Sequence, residues 1–202
     1  MLKKFRNVFS VKEQPLEEKI PLVIMKLESS LNKLDRTSAV LIKEDQDLFE
    51  RCVEARVKND YVHAVMYANE CVEMRKITHL VISSKYALEQ MILRLQTVIK
   101  LGDILVTMTP VIDVVKNTRN RLVGLVPSVA NSLTEANQIL GKCMDNMGTS
   151  NVPESSEVLM GQDALKVMKE ADQAAENVLR EKFPSIPNTD LPTLRQFEML
   201  GT

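Results

Sequence analysis

Residues 57–64 read VKNDYVHA, and this short stretch decides the fold because it supplies a turn. It lies inside the region from Leu22 to Leu101, which has no Gly and no Pro and is rich in good helix formers. As one helix this region would be a rod of about 120 Å that buries nothing, so a turn is expected within it. Asn59 and Asp60 are residue types that close one helix and cap the next. The sequence therefore predicts an antiparallel helical hairpin over residues 16–101.

Both arms of this hairpin have apolar residues at alternating steps of three and four, which is the pattern of a heptad seam. The first arm, residues 16–58, contributes Ile20, Ile24, Leu27, Leu31, Leu34, Leu41, Leu48, Cys52 and Ala55. The second arm has the same spacing at Ile77, Val81, Ser84, Leu88, Met91, Leu95 and Val98, with Ser84 as a polar member, and Leu105 follows one heptad later. Ser38 and Asp45 are polar residues at seam positions of the first arm. They either act as register markers, which fix how the two arms align, or lie where the arms are no longer in contact. We favour the second interpretation, because Asp45 begins an acidic patch that a neighbouring subunit could meet.

Gly and Pro divide the rest of the chain into shorter elements. Two helices are predicted over residues 111–123 and 128–147, and Pro110 either begins the first or kinks a longer one. A polar linker then leads to an acidic amphipathic helix over residues 154–182 and a tail with three prolines in nine residues. The predicted class is all-α. Its parts are an amphipathic N-terminal segment at 1–14, a helical core at 15–147, a linker and acidic helix at 148–183, and a Pro-rich tail at 184–202.

Composition argues against an enzyme. The three cysteines have no paired spacing, so no disulfide is predicted. The two histidines sit in no ligand motif, so no metal site or cofactor is predicted. The first glycine is residue 102, so no phosphate-binding loop is predicted either. Cys71 and His79 lie eight residues apart on one helix and do not share a face well, which disfavours a nucleophile and base pair. The few basic residues lack aromatic partners, so nucleic acid is not an expected ligand. No apolar run reaches the roughly 20 residues that cross a bilayer, which predicts a soluble or peripheral protein.

The charge is divided unevenly along the chain. Residues 1–121 hold twenty Lys and Arg against sixteen acids, while residues 122–202 hold six against eleven. A basic front and an acidic rear favour attraction within the chain, and attraction of the front to an anionic surface.

Two segments resemble the archaeal CdvB-type members of the ESCRT-III family. They are DYVHAVMYANECVEMRKITHLVISSKYALEQMILRLQTV at 60–98 and AENVLREKFPSIP at 175–187, and the resemblance covers about residues 16–187. It implies a cytoplasmic, non-enzymatic subunit that polymerises with its own copies and with paralogues on membranes, and takes part in constricting a membrane neck during cell division. It also implies a closed form, in which the acidic rear folds back on the hairpin, and a separate AAA ATPase that grips the tail and removes subunits. No winged-helix extension follows the tail, so recruitment through such a domain is not expected.

Two sets of residues are candidates for contact with an anionic membrane. In the opening segment, Leu2, Phe5, Val8 and Phe9 fall on one helical face, flanked by Lys3, Lys4 and Arg6. This pattern is typical of a short interfacial helix. Taken alone it more often marks a frayed terminus, and the family resemblance favours the interfacial helix. The first arm adds a basic stripe beside its seam: Lys19, Lys26, Lys33, Arg36 and Lys43. The alternative for the stripe is the solvated face of a coiled-coil arm.

Two further sites are predicted in the later part of the chain. Gly102 and Pro110 bracket a candidate hinge, for which the alternative is an ordinary helix boundary. The tail offers apolar residues that could bind the tail-binding domain of the ATPase, with fraying or docking on the chain's own hairpin as alternatives: Leu191, Pro192, Leu194, Phe197 and Leu200. The rival functions are a phage-shock-type membrane-maintenance scaffold and a compact helical regulatory adaptor. The acidic rear and Pro-rich tail disfavour the first, and the lack of a visible internal duplication disfavours the second.

Overall fold

The computed structural model describes residues 16–101, 104–145 and 161–185. These residues form five α-helices and no strand, which confirms the predicted all-α class. The helices are α1 (Leu16–Val57), α2 (Tyr61–Leu101), α3 (Ile104–Leu122), α4 (Pro127–Asp145) and α5 (Gln162–Lys182). The predicted N-terminal anchor, Gly102 and the tail residues from 186 onward lie outside the described residues.

The turn between α1 and α2 forms where the sequence predicts it. Asn59 has a φ of 59°, in the left-handed region that asparagine tolerates better than most residues. The N–H of Asn59 donates to the Arg56 carbonyl at 3.1 Å, and the N–H of Asp60 donates to the Ala55 carbonyl at 2.8 Å, which is the Schellman pattern of a helix end. The Asp60 carboxylate accepts from the backbone N–H of His63 at 3.2 Å and caps α2.

Most of the predicted seam residues lie in the buried core, in which α1 packs against α2. Every seam residue whose side chain is described is buried or half-buried. Leu27, Leu34, Leu88 and Leu95 are fully buried. Because each fully buried Leu side chain contributes about 1.5–3 kcal/mol, this interface is a main source of hairpin stability.

Asp45 corrects the favoured interpretation of the seam defects. Its side chain is fully buried between the arms, and Arg75 of α2 donates to it from Nε at 2.9 Å and from Nη2 at 3.1 Å. The arms therefore do not separate at this position, and the carboxylate is not available to a neighbouring subunit. Asp45 instead ties one position of α1 to one position of α2, as a register marker does. Ser38 is half-buried and donates to the Asp35 carbonyl at 2.9 Å.

The helix α3 begins at Ile104, seven residues before the predicted start, so Pro110 lies inside it. Proline has no N–H to donate to the carbonyl four residues back. Met108, Val111 and Val114 around it are fully buried, and their packing offsets the missing hydrogen bond. The helix α4 starts at Pro127, a position where proline's fixed φ favours a first helical turn.

The helix α5 lies against α2 and α3 along one face. That face consists of small and medium apolar residues, namely Ala164, Val167, Met168, Ala171 and Ala175. Asp172 in the middle of α5 contacts Ser83 of α2, while Pro184 just after α5 contacts Arg75. Since contacts later in α5 fall earlier in α2, the two helices are antiparallel. The part of the predicted acidic helix before Gly161 lies outside the described residues.

Candidate functional site: the contacts that hold α5 on the hairpin

A group of polar residues from three helices holds the middle of α5. Arg121, near the end of α3, donates to the Asp172 carboxylate at 2.8 Å from Nη1, and Ser83 of α2 donates to the same carboxylate. Arg121 also lies 3.2 Å from the Ser83 hydroxyl oxygen. We call Ser83, Arg121 and Asp172 the latch cluster. It joins α2, α3 and α5 at one point.

The latch cluster stabilises the ionised form of Asp172. Partial burial alone raises the pKa of this carboxyl. The hydrogen bonds from Arg121 and Ser83, together with the charge of Arg121, outweigh that effect and leave the pKa below its ordinary value. His79 adds a hydrogen bond from Nε2 to the backbone oxygen of Asp172 at 3.2 Å. A charged Asp172 is therefore the form that holds α5 in place.

Arg75 holds the end of α5. Besides its bonds to Asp45, it donates from Nη1 to the Pro184 carbonyl at 3.0 Å. Its guanidinium carbon lies 5.0 Å from the ring centroid of Phe183, a cation–π contact with a buried ring. One side chain thus connects α1, α2 and the residues that follow α5.

The beginning of α5 has a weaker attachment to α3. The N–H of Gly161 donates to the Asp113 carboxylate at 3.4 Å. The described part of α5 is therefore attached near its start, at its middle and at its end.

Cys71 and His79 lie in different environments. Cys71 is fully buried in the seam, and its thiol approaches the Asp45 carbonyl at 4.0 Å, whereas His79 faces α5. Burial, followed by the nearby negative charge of Asp45, raises the pKa of the Cys71 thiol to about 11. Such a thiol stays protonated near neutral pH, which disfavours the nucleophile and base pair further.

The basic stripe of α1 divides into two groups. Lys26 makes a 2.5 Å ion pair with Glu135 of α4 and lowers the pKa of that carboxyl, and Lys19 lies close enough to α4 for its charge to act on Cys143. Lys33, Arg36 and Lys43 are exposed, and no ion pair to them occurs among the described residues.

The second group belongs to a mixed basic and apolar surface. At 3.6 residues per turn, Lys33, Arg36 and Lys43 fall within a sector of about 80° around the axis of α1. Three exposed apolar side chains lie in the same sector. Met25 is 57% exposed and Val40 is 55% exposed, and Leu22 completes the set. No acid between residues 22 and 43 falls in this sector. We call Leu22, Met25, Lys33, Arg36, Val40 and Lys43 the outer face of α1.

The described ranges offer neither a candidate membrane-spanning helix nor a candidate metal-binding group. None of their helices combines the length and the apolar character needed to cross a bilayer. Within the same ranges, no group of three or more His, Cys, Asp or Glu side chains is placed to hold a metal ion.

Comparison with known proteins identifies the family. The chain is 33% identical over 175 residues to Cell division protein B1 of Sulfolobus acidocaldarius, and the match covers 87% of this chain and 82% of the relative. The chain belongs to the CdvB-type family of ESCRT-III proteins. It is also 26% identical over 179 residues to Cell division protein B of the same organism, a match that covers 88% of this chain and 69% of that protein. No family model matched the chain, and no solved structure matched it.

In this CdvB-type chain, the residues that hold α5 were not among the site residues predicted from the sequence. Unequal charge predicted attraction between front and rear but did not point to Arg121, Asp172 or Arg75. One signal was present, because a charged Asp45 at a seam position requires a cation on the opposite arm. Of the candidate hinge residues, Pro110 lies inside α3 and Gly102 is not described, so the hinge stays a prediction.

Proposed function

We propose that this chain is a non-enzymatic filament subunit that assembles on anionic membranes and helps to constrict membrane necks in archaeal cell division. The names of its relatives support a role in cell division. The observation that best supports a regulated subunit is the latch cluster, through which Asp172 of α5 binds Arg121 and Ser83. With α5 in this position, part of α2 is covered by the chain itself. Release of α5 would expose that surface to another copy or to a paralogue.

The outer face of α1 supports the membrane part of the proposal. Each cation near an anionic surface contributes about 1 kcal/mol, and its contribution decreases with added salt. Lys33, Arg36 and Lys43 together contribute about 3 kcal/mol in low salt. Met25 and Val40 lie beside them and can enter the headgroup region. In this arrangement the subunit lies peripherally on the membrane at the division site, and the N-terminal segment adds a second contact that a polymer repeats many times.

Removal of subunits is assigned to a separate AAA ATPase. The tail offers that enzyme apolar residues for a groove in its tail-binding domain: Leu191, Pro192, Leu194, Phe197 and Leu200. Bending between the hairpin and the short helices near Gly102 would accompany the change from the closed subunit to the assembled one.

Imaging with vesicles tests assembly directly. The 202-residue chain and a chain truncated after Met147, which lacks α5, are mixed with anionic vesicles and with neutral vesicles and then viewed by electron microscopy. The proposal predicts filaments or tubules on anionic vesicles, and more of them for the truncated chain. A monodisperse protein that ignores both kinds of vesicle, with and without α5, would contradict it.

A set of neutral substitutions tests the membrane face. Replacing Lys33, Arg36 and Lys43 by Gln removes about 3 kcal/mol, which weakens vesicle binding roughly 150-fold in low salt. The control makes the same change of net charge on exposed lysines elsewhere: Lys58, Lys116 and Lys142. Vesicle sedimentation measures both. Equal loss in the two variants would mean that total charge, and not the outer face of α1, determines binding.

A further inference from the structure

The part of the hairpin nearest to its turn extends past the end of α5. Among the described residues, the polar contact of α5 that lies closest to the turn is the hydrogen bond from Arg75 to the Pro184 carbonyl. The helix α4 meets α1 much further from the turn, where Lys26 pairs with Glu135. Residues 46–72, on both sides of the turn, therefore form the free end of the hairpin.

One side of this free end is apolar. In an antiparallel pair of helices, the residues directly after the seam residues of both arms face the same side. At the free end these positions hold Gln46, Phe49, Val53, Arg56, Tyr61, Val65, Ala68 and Val72. We call this set the tip flank. The guanidinium carbon of Arg56 on α1 lies 5.1 Å from the ring centroid of Tyr61 on α2, so the two arms do share this side. Arg56 is the only charged residue of the tip flank.

The opposite side of the free end is charged. The positions directly before the seam residues hold Asp47, Arg51, Glu54, His63, Met66, Glu70 and Glu73. An apolar surface packed on this side would take these charges out of water, which costs free energy. The tip flank of one hairpin is therefore poorly matched to the opposite side of another hairpin. It is well matched to a second apolar surface.

The tip flank continues the surface on which α5 packs. Arg75 and His79, which contact α5, also directly follow seam positions of α2. Closer to the turn α5 no longer covers this surface, and Val72 is 41% exposed while Val53 is 43% exposed. Val57, one turn after Val53, is 78% exposed. A contiguous exposed apolar patch of this kind is typical of a protein–protein interface.

We propose that the tip flank binds the tip flank of a second copy of this chain, with the two copies related by a two-fold axis. A surface without acids can face itself if its one cation stays in contact with water, and Arg56 can do so while its stem packs on Tyr61. Because each copy uses the same patch, the contact closes at two copies. It rests on the proposed role as an assembling subunit and adds that a pair forms before any membrane is met and while α5 is still docked.

The exposed area indicates how strong this pair is. The exposed fractions of Val53, Val57, Tyr61 and Val72 together amount to about two whole side chains per copy, which makes the interface a small one. The pair should therefore be weak and should dissociate on dilution.

Sedimentation equilibrium of the 202-residue chain, without vesicles, measures the pairing. The chain should pass from monomer to dimer as its concentration rises through the micromolar range. Sodium sulfate should shift the equilibrium toward the dimer, because this salt strengthens apolar burial. Sodium chloride should not dissociate the dimer, because charge attraction does not hold it together.

Two variants and a control locate the interface. Val53→Glu and Val57→Glu should each raise the dissociation constant of the dimer about tenfold or more, since each places a charge in the contact. The matched control is Met66→Glu, which makes the same change of net charge at a residue that is 46% exposed on the opposite side of the free end. It should leave the dissociation constant unchanged. Circular dichroism verifies that each variant is folded.

Three results would overturn the proposal. The first is a chain that stays monomeric at every concentration. The second is an equal effect of Val53→Glu and Met66→Glu. The third is growth beyond the dimer that Val53→Glu abolishes, because the tip flank would then meet a different surface of the next copy. These measurements use no membrane, so their failure would leave the vesicle experiment on the proposed function unaffected.

Discussion

Replacing Arg75 by Met tests how the hairpin and the end of α5 are held together. Asp45 is fully buried, and the Arg75 side chain is only 17% exposed. The substitution keeps most of the side-chain volume but removes the two donors 2.9 and 3.1 Å from the carboxylate. It also removes the donor to the Pro184 carbonyl and the stacking on Phe183.

The expected effect is large because a buried carboxylate is left without a partner. Breaking a buried pair on one side lowers the free energy of unfolding by about 3–5 kcal/mol. Replacing both partners, as Asp45→Leu with Arg75→Met, removes the unpaired charge and restores an apolar residue at a seam position. The double variant should lose only the contacts to Pro184 and Phe183, together about 2 kcal/mol. It should therefore be more stable than Arg75→Met alone.

Urea unfolding followed by circular dichroism measures these free energies. The matched control is Arg180→Met. Arg180 is exposed and forms a surface ion pair with Glu176 one turn away, so its loss should cost less than about 1 kcal/mol. An Arg75→Met effect no larger than that of the control would refute the reasoning. A double variant less stable than Arg75→Met would refute it as well.

Two further predictions concern Asp172 and the turn. The lowered pKa of Asp172 means that its stabilisation is complete above the ordinary value of 3.8 and is lost as pH falls through the lowered value. The difference in unfolding free energy between the native chain and Asp172→Asn should thus stay constant from about pH 7 to about pH 5 and shrink in stronger acid; a difference unchanged in acid would contradict this. Because Asn59 has a φ of 59°, Asn59→Ala should cost about 1 kcal/mol in urea unfolding, while Asn59→Gly should not. Equal stability of these two variants would show that the left-handed turn is not strained.

The hairpin could be predicted because its signals are local. A long region without Gly or Pro, one Asn-Asp pair and a repeat of three and four residues determine two helices, a turn and a seam. Each of these depends on residues close together in sequence. The last helix was predicted for the same reason, but its start was placed too early, because α5 begins at Gln162 after a Gly161 with non-helical backbone angles.

The contacts between distant residues could not be predicted in this way. Asp45 was wrongly predicted to lie where the arms separate, because its partner Arg75 lies thirty residues away on the other arm. The start of α3 was placed too late, because Pro110 usually limits a helix and only tertiary packing retains it inside one. Lys26 was placed in a continuous stripe, and its partner Glu135 lies on α4, far along the chain. Sequence periodicity says which face of a helix is apolar, but not which polar residues meet across two helices.

Exchanging the charges of the latch cluster gives the most direct test of the claim that docked α5 prevents assembly. Asp172→Arg places like charges together and should release α5, so that more protein sediments with anionic vesicles and forms filaments. Asp172→Arg combined with Arg121→Asp restores an opposite pair and should return sedimentation toward that of the native chain. Glu170→Arg makes the same change of net charge at an exposed position of α5 and should behave as the native chain does. If the single and double variants sediment equally, or if neither differs from the native chain, the latch cluster does not control assembly.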